Sequence, residues 1–126
     1  IGMAWLPVTF ALYSLQSLIF ASMDRFELGR APAHALFVGF FGSLLVAMVT
    51  RVTQGHSGRP LVMPAAAWFA FTAVQAVAVM RVVAEIAPDA YAWHVAAAIG
   101  WLIAFLPWVA RLGWIYLTPR ADGQPG

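Results

Sequence analysis

The run Ala35 to Val49 carries no charged residue and has a histidine on either side, His34 before it and His56 after it. Extended over His34 and on to Thr50, it is long enough to cross a bilayer, which takes about 20 residues. A segment of this kind narrows the choices sharply. Inside hydrocarbon every backbone amide must be satisfied within the segment, so it folds as a helix. A histidine where such a helix enters the membrane is costly unless it faces protein, water or a metal.

The same pattern recurs along the chain. Apolar stretches at about 1–22, 34–52, 62–86 and 91–117 predict four membrane spans, followed by a polar, extended tail at 118–126. The fold class expected is therefore all-α, a polytopic transmembrane helix bundle whose first partner is the lipid bilayer. Composition agrees: 63% of the 126 residues are hydrophobic and 10% are charged, against about 25% charged in ordinary soluble domains. The net charge of +2 comes from scattered arginines, too little for a nucleic-acid surface. Ile1 opens directly into apolar sequence, so the chain reads as the C-terminal region of a longer polytopic protein. The remaining N-terminal helices of that protein are then expected partners.

Between the spans, Met23 to Ala33 forms a charged first loop, and Pro32 suits the start of the second helix. Arg51 to Pro64 reads as the second loop, because Gly55, Gly58, Pro60 and Pro64 all break helices. In the first span Thr9, Tyr13, Gln16 and Ser17 fall on one face and should turn towards other helices. In the second, His34, Val38, Phe41, Leu45 and Met48 share one face while Gly39, Gly42, Ser43 and Thr50 share another. Gly39 and Ser43 make a small-xxx-small pair that lets a neighbouring backbone come close. In the third span Arg81 precedes Glu85 by one turn, so the two can pair. In the fourth, Trp101 and Trp108 share a face with Phe105 close by.

Topology arranges the histidines. His34 begins the second span and His94 begins the fourth, so both enter the membrane from the same side. His56 lies at the other end of the second span, about 33 Å of helix away. His34 and His94 can thus share a metal or haem, and His56 cannot join them. With Cys absent, metal ligands must come from His, Met or carboxylates. Phe37 and Phe41 below His34, with Trp101 and Phe105 below His94, could line a haem slot. Arg81, Arg30 or Arg25 on that side could hold its propionates in a bidentate fork. The same residues also suit plainer duties: interfacial histidines bonded to loop carbonyls, a tryptophan belt, and an arginine reaching for the interface. The arginine distribution puts the tail in the cytoplasm by a margin of one. No phosphate-binding loop, GxGxxG, GxSxG or HExxH is present.

One family combines these features. His34-Ala35-Leu36, Gly39, Gly42, Met48, Thr50-Arg51 and Gly55-His56-Ser57-Gly58-Arg59-Pro60-Leu61 resemble the most recognisable segment of the NnrS family. The tail Pro119-Arg120-Ala121-Asp122-Gly123-Gln124-Pro125-Gly126, with Arg81 and Trp101, also resembles it. The resemblance implies a multi-pass protein of the bacterial inner (cytoplasmic) membrane, with about a dozen helices in all. It implies haem b and copper, an electron donor, and a part in the response to nitric oxide. It makes His34 and His56 metal ligands, with His94 added by topology and Arg81 as a cofactor-binding residue. Two other classes fit the residues alone: a non-redox membrane transporter, and a structural subunit of a membrane redox complex.

Overall fold

The computed structural model describes residues 1–124. Four helices are long and apolar enough to cross a membrane: α1 Gly2–Met23, α2 Ala31–His56, α3 Ala65–Ala84 and α4 Ala90–Tyr116. No strand occurs among the described residues. The expected all-α bundle of four spans is present, and the chain is a multi-pass membrane protein.

The boundaries follow local chemistry. Asp24 closes α1 in the left-handed region at φ 56°, a conformation that aspartate tolerates better than most residues. Pro32 stands in the first turn of α2, where its missing N–H leaves nothing unpaired. The Asp89 side chain caps α4 by accepting from the Ala92 amide at 3.1 Å. Pro107 lies inside α4 without ending it, as membrane helices allow.

Two expectations are corrected. The second loop starts later than Arg51, because α2 runs on through Gly55 to His56. Glycine inside a helix costs about 1 kcal/mol, and here Thr53 and Gln54 pack into the bundle beside it. The helix stops at Gly58, φ 68°, where the Arg59 amide turns back to the Gln54 carbonyl at 3.0 Å. Pro60 and Pro64 then hold the loop open, so α3 begins at Ala65 and not at 62. The tail is not extended either. It folds back on the end of α2, with the Ala121 amide donating to the Ser57 carbonyl at 2.9 Å. Pro125 and Gly126, expected as the end of the tail, lie outside the described residues.

α3 packs along α4 and against α2, and α1 leans on the upper part of α2. The buried side chains are small: Ala67, Ala70, Ala78, Ala97 and Ala104 are almost fully enclosed. Large ones such as Leu102, Leu106 and Trp114 point outward. This is the arrangement expected where lipid is the solvent and close backbone approach drives helix association. Gly39 shows how close: the Trp5 indole occupies the space a Cβ would need. Polar ties complete the seams. The Trp5 indole donates to Gln75 at 2.7 Å, Gln75 to Ser43 at 2.8 Å, and Ser43 to the Gly39 carbonyl at 2.5 Å. Further along, Trp108 donates to Thr50 at 2.8 Å and Thr53 meets the Tyr116 hydroxyl at 3.0 Å. The small and polar face read from α2 is therefore its buried face. Of the α1 stripe, Thr9 is buried, Gln16 bonds to the first loop at Leu28 and Gly29, and Tyr13 points outward.

From Ala35 to Phe41, α2 is wound as a π-helix. The Gly42 amide reaches the Phe37 carbonyl, five residues back. Such wide turns occur often at functional positions, and this one lies directly beneath His34.

A candidate metal centre at the mouth of the bundle

At one end of the bundle three elements converge on a carboxylate. Glu85 follows the last turn of α3, His34 stands in the first turns of α2, and His94 in the first turns of α4. Glu85 Oε1 lies 3.2 Å from His34 Nε2 and 3.4 Å from His94 Nε2. Its other oxygen, Oε2, accepts from the Arg30 amide at 3.0 Å. One donor atom from each of the three side chains falls within 4.8 Å of the others, and this is the one such cluster found among the described residues. Burial alone would raise the Glu85 carboxyl; the Arg30 amide and the two imidazoles outweigh it and hold the group below the usual carboxylate range.

The protonation pattern is informative. His94 Nδ1 lies 2.6 Å from the Ala90 carbonyl, one turn back on α4. A carbonyl only accepts, so Nδ1 must carry the proton and donate. In the neutral ring, Nε2 is then a bare lone pair, and it faces a carboxylate oxygen. Two acceptors at that separation repel unless a cation lies between them. Either an extra proton or a metal ion can serve. The backbone bond from the far ring nitrogen is the outer-shell support that metal-ligating histidines usually have. Two imidazoles and a carboxylate suit copper, zinc or non-haem iron. A haem held between both histidines does not fit, because Glu85 Oε1 already stands where its plane would pass.

The site residues read from the sequence are thus divided. His34 and His94 are brought together, as the shared side of entry required. Arg81 is close but does not pair with Glu85, whose carboxylate is turned to the histidines and to Arg30. It lines a groove of about 480 Å³ with Val38, Val77, Ala97, Trp101 and Leu102. Arg30 contributes its backbone amide, and Arg25 pairs at the surface with Glu27 at 3.8 Å. Of the residues expected to line a slot below the histidines, Phe37, Phe41 and Trp101 border a shallow groove with Met48, and Phe105 stacks on Trp101 outside it. His56 is at the far end of α2, in a cavity of about 420 Å³ beside Tyr116 and Arg120. It belongs to no cluster of three such donors among the described residues.

Glu85 is the residue that sequence reasoning missed. Its signal was present: it ends the third span on the side where His34 and His94 begin theirs. The helical spacing to Arg81 drew it to the wrong partner.

The NnrS family, described as NnrS protein, matches residues 1–120 of the chain. No curated protein and no solved structure matches.

Proposed function

The chain belongs to the NnrS family, and from that premise we propose that it serves the response to nitric oxide as a haem- and copper-containing protein of the bacterial inner membrane. The copper-type ion is assigned to His34, Glu85 and His94. One observation carries the assignment: with Nδ1 donating to the Ala90 carbonyl, His94 turns Nε2 towards the Glu85 carboxylate at 3.4 Å, a contact that a cation between the two would hold. A cation between them converts a repulsion into two bonds. Copper in that position supplies one-electron chemistry and an open place for a small ligand. The chain's own groups fix the geometry: the Ala90 carbonyl sets one ring, and the Arg30 amide sets the carboxylate. The haem is not placed on these two rings together, and His56 is left without a metal.

The test is metal analysis with visible and electron paramagnetic resonance spectra of the purified full-length protein. Copper bound in a stoichiometric amount, with nitrogen couplings in its spectrum, is expected. His94→Ala and Glu85→Gln should each weaken binding more than about a hundredfold, beyond the roughly 10–100-fold seen when outer-shell partners are lost. A Soret band reports haem independently. A colourless protein that moves divalent ions across vesicles would instead favour the transporter reading, which the same three donors at a bundle mouth also suit.

A further inference from the structure

The first loop reaches the cluster at a residue with no side chain. Gly29 lies in the left-handed region at φ 46°, and a Cβ there would collide with Glu85 Oε2. The next residue, Arg30, gives that same oxygen its backbone amide at 3.0 Å. Glycine thus lets the loop backbone come within hydrogen-bond reach of the carboxylate. The far end of a glutamate side chain turns easily about its last bond. With Oε2 tied to the loop it is held, and Oε1 is the oxygen left facing His34 and His94, at 3.2 and 3.4 Å.

The loop is itself held from α1. Gln16 accepts from the Leu28 amide through Oε1 at 3.0 Å and donates from Nε2 to the Gly29 carbonyl at 3.2 Å. Phe26 in the same loop stacks on Phe20 of α1, with ring centres 4.5 Å apart. The carbonyl that Gln16 holds and the amide that Glu85 receives belong to one peptide unit, Gly29–Arg30. That unit is planar, with its C=O and N–H pointing opposite ways. Fixing the carbonyl on Gln16 therefore aims the N–H at Glu85. α1 supplies none of the three donors of the cluster, but it acts on one of them through this peptide.

We infer that Gln16 and Gly29 are positioning residues of the cluster, which together hold Glu85 as a ligand offering one oxygen to the ion. The inference rests on the metal assignment made above. Carboxylates bind metals through one oxygen or through both. Here the loop keeps the second oxygen, so the coordination place it would take stays open. Hydrogen bonds to a ligating carboxylate commonly fix its orientation in this way.

Copper(II) on the full-length protein is the probe, read by equilibrium dialysis and by infrared difference spectra between metal-loaded and metal-free forms. The Glu85 bands are those that Glu85→Gln removes. Their asymmetric and symmetric stretches lie far apart when one oxygen binds and closer together when both do. Asparagine tolerates the left-handed region, so Gly29→Asn places a Cβ against Oε2 with little backbone strain. The atom displaced is the free end of a side chain, so thermal unfolding in detergent should stay near wild type. Gln16→Met keeps the length of the side chain and removes both of its bonds. Each variant should weaken copper binding about tenfold or more and draw the two stretches together. Gln16→Lys keeps a donor for the Gly29 carbonyl and should restore part of their separation. Weaker binding with the stretches as far apart as in the wild type overturns the one-oxygen role. Wild-type affinity in both Gly29→Asn and Gln16→Met overturns the positioning role and leaves the metal assignment standing. A wild-type protein that takes up no copper removes the metal assignment, and this inference with it.

Discussion

The two ends of this bundle are made from the same kinds of residue and behave differently. Each has histidine, arginine, a carboxylate and a helix terminus. At the tail end the carboxylate is fully paired, although the buried Arg59 guanidinium keeps one nitrogen without a partner. Arg120 donates to Asp122 at 3.0 and 2.6 Å, Ala121 bonds to Ser57, and the Asp122 carboxylate packs over Gly58. The Thr53–Tyr116 contact seals α2 to α4 just inside it. At the other end one carboxylate oxygen is shared by two imidazoles, one of which turns its other nitrogen to the Ala90 carbonyl. Residue type does not distinguish a latch from a site. Completeness of pairing does: a closed network holds the chain, and one short of a cation invites one.

The sharpest way to break this comparison is Glu85→Gln. The amide removes the charge that a cation would neutralise, so copper affinity should fall more than about a hundredfold by equilibrium dialysis, exceeding the about 10–100-fold range of outer-shell changes. If the variant binds copper as well as the parent, the cluster end is no more than a second latch. Next in size is Thr50→Val between the two ends. It leaves the buried Trp108 indole N–H without its acceptor, and a lost partner for a buried donor costs about 1–3 kcal/mol. Unfolding in detergent should show that loss, while copper content stays unchanged.

A smaller effect is expected from acid at the tail end. Arg120 beside Asp122 lowers the carboxyl to about 2. A depressed carboxyl contributes above its unfolded value and loses that contribution as pH falls through its folded one. The latch should therefore stay closed through mild acid and open only near pH 2, as read by a spin label on the tail. Asp122→Asn should leave it open at neutral pH. The smallest expectation is no change at all: His56→Ala should leave copper content and spectrum as they are. A lost signal there would mean that the apparently closed end also holds metal.

How much of this was legible in the sequence depends on the range of the interaction. The four spans were legible because lipid imposes a length and a composition on each segment independently. The levelness of His34 and His94 was legible because counting membrane crossings needs no side-chain detail. The role of Glu85 was not, since the i,i+4 rule says which residues are neighbours on one helix and nothing about a competing pair of imidazoles from two others. The continuation of α2 past Gly55 was hidden by a local penalty that packing of Thr53 and Gln54 overrides. The folded-back tail was hidden because its partners, Ser57 and Gly58, are remote in sequence.

The wide turn between Ala35 and Phe41 has a mechanical consequence. A helix is a rigid gear: the bearing of one tooth fixes that of every other. Slack wound into α2 uncouples the two halves, so the ring of His34 can be aimed at the bundle mouth while Gly39, Gly42 and Ser43 stay meshed with α1 and α3. Excising one residue from that slack would rotate the upper half by about 100° and carry the imidazole out of reach of its carboxylate, with the lower seam left untouched.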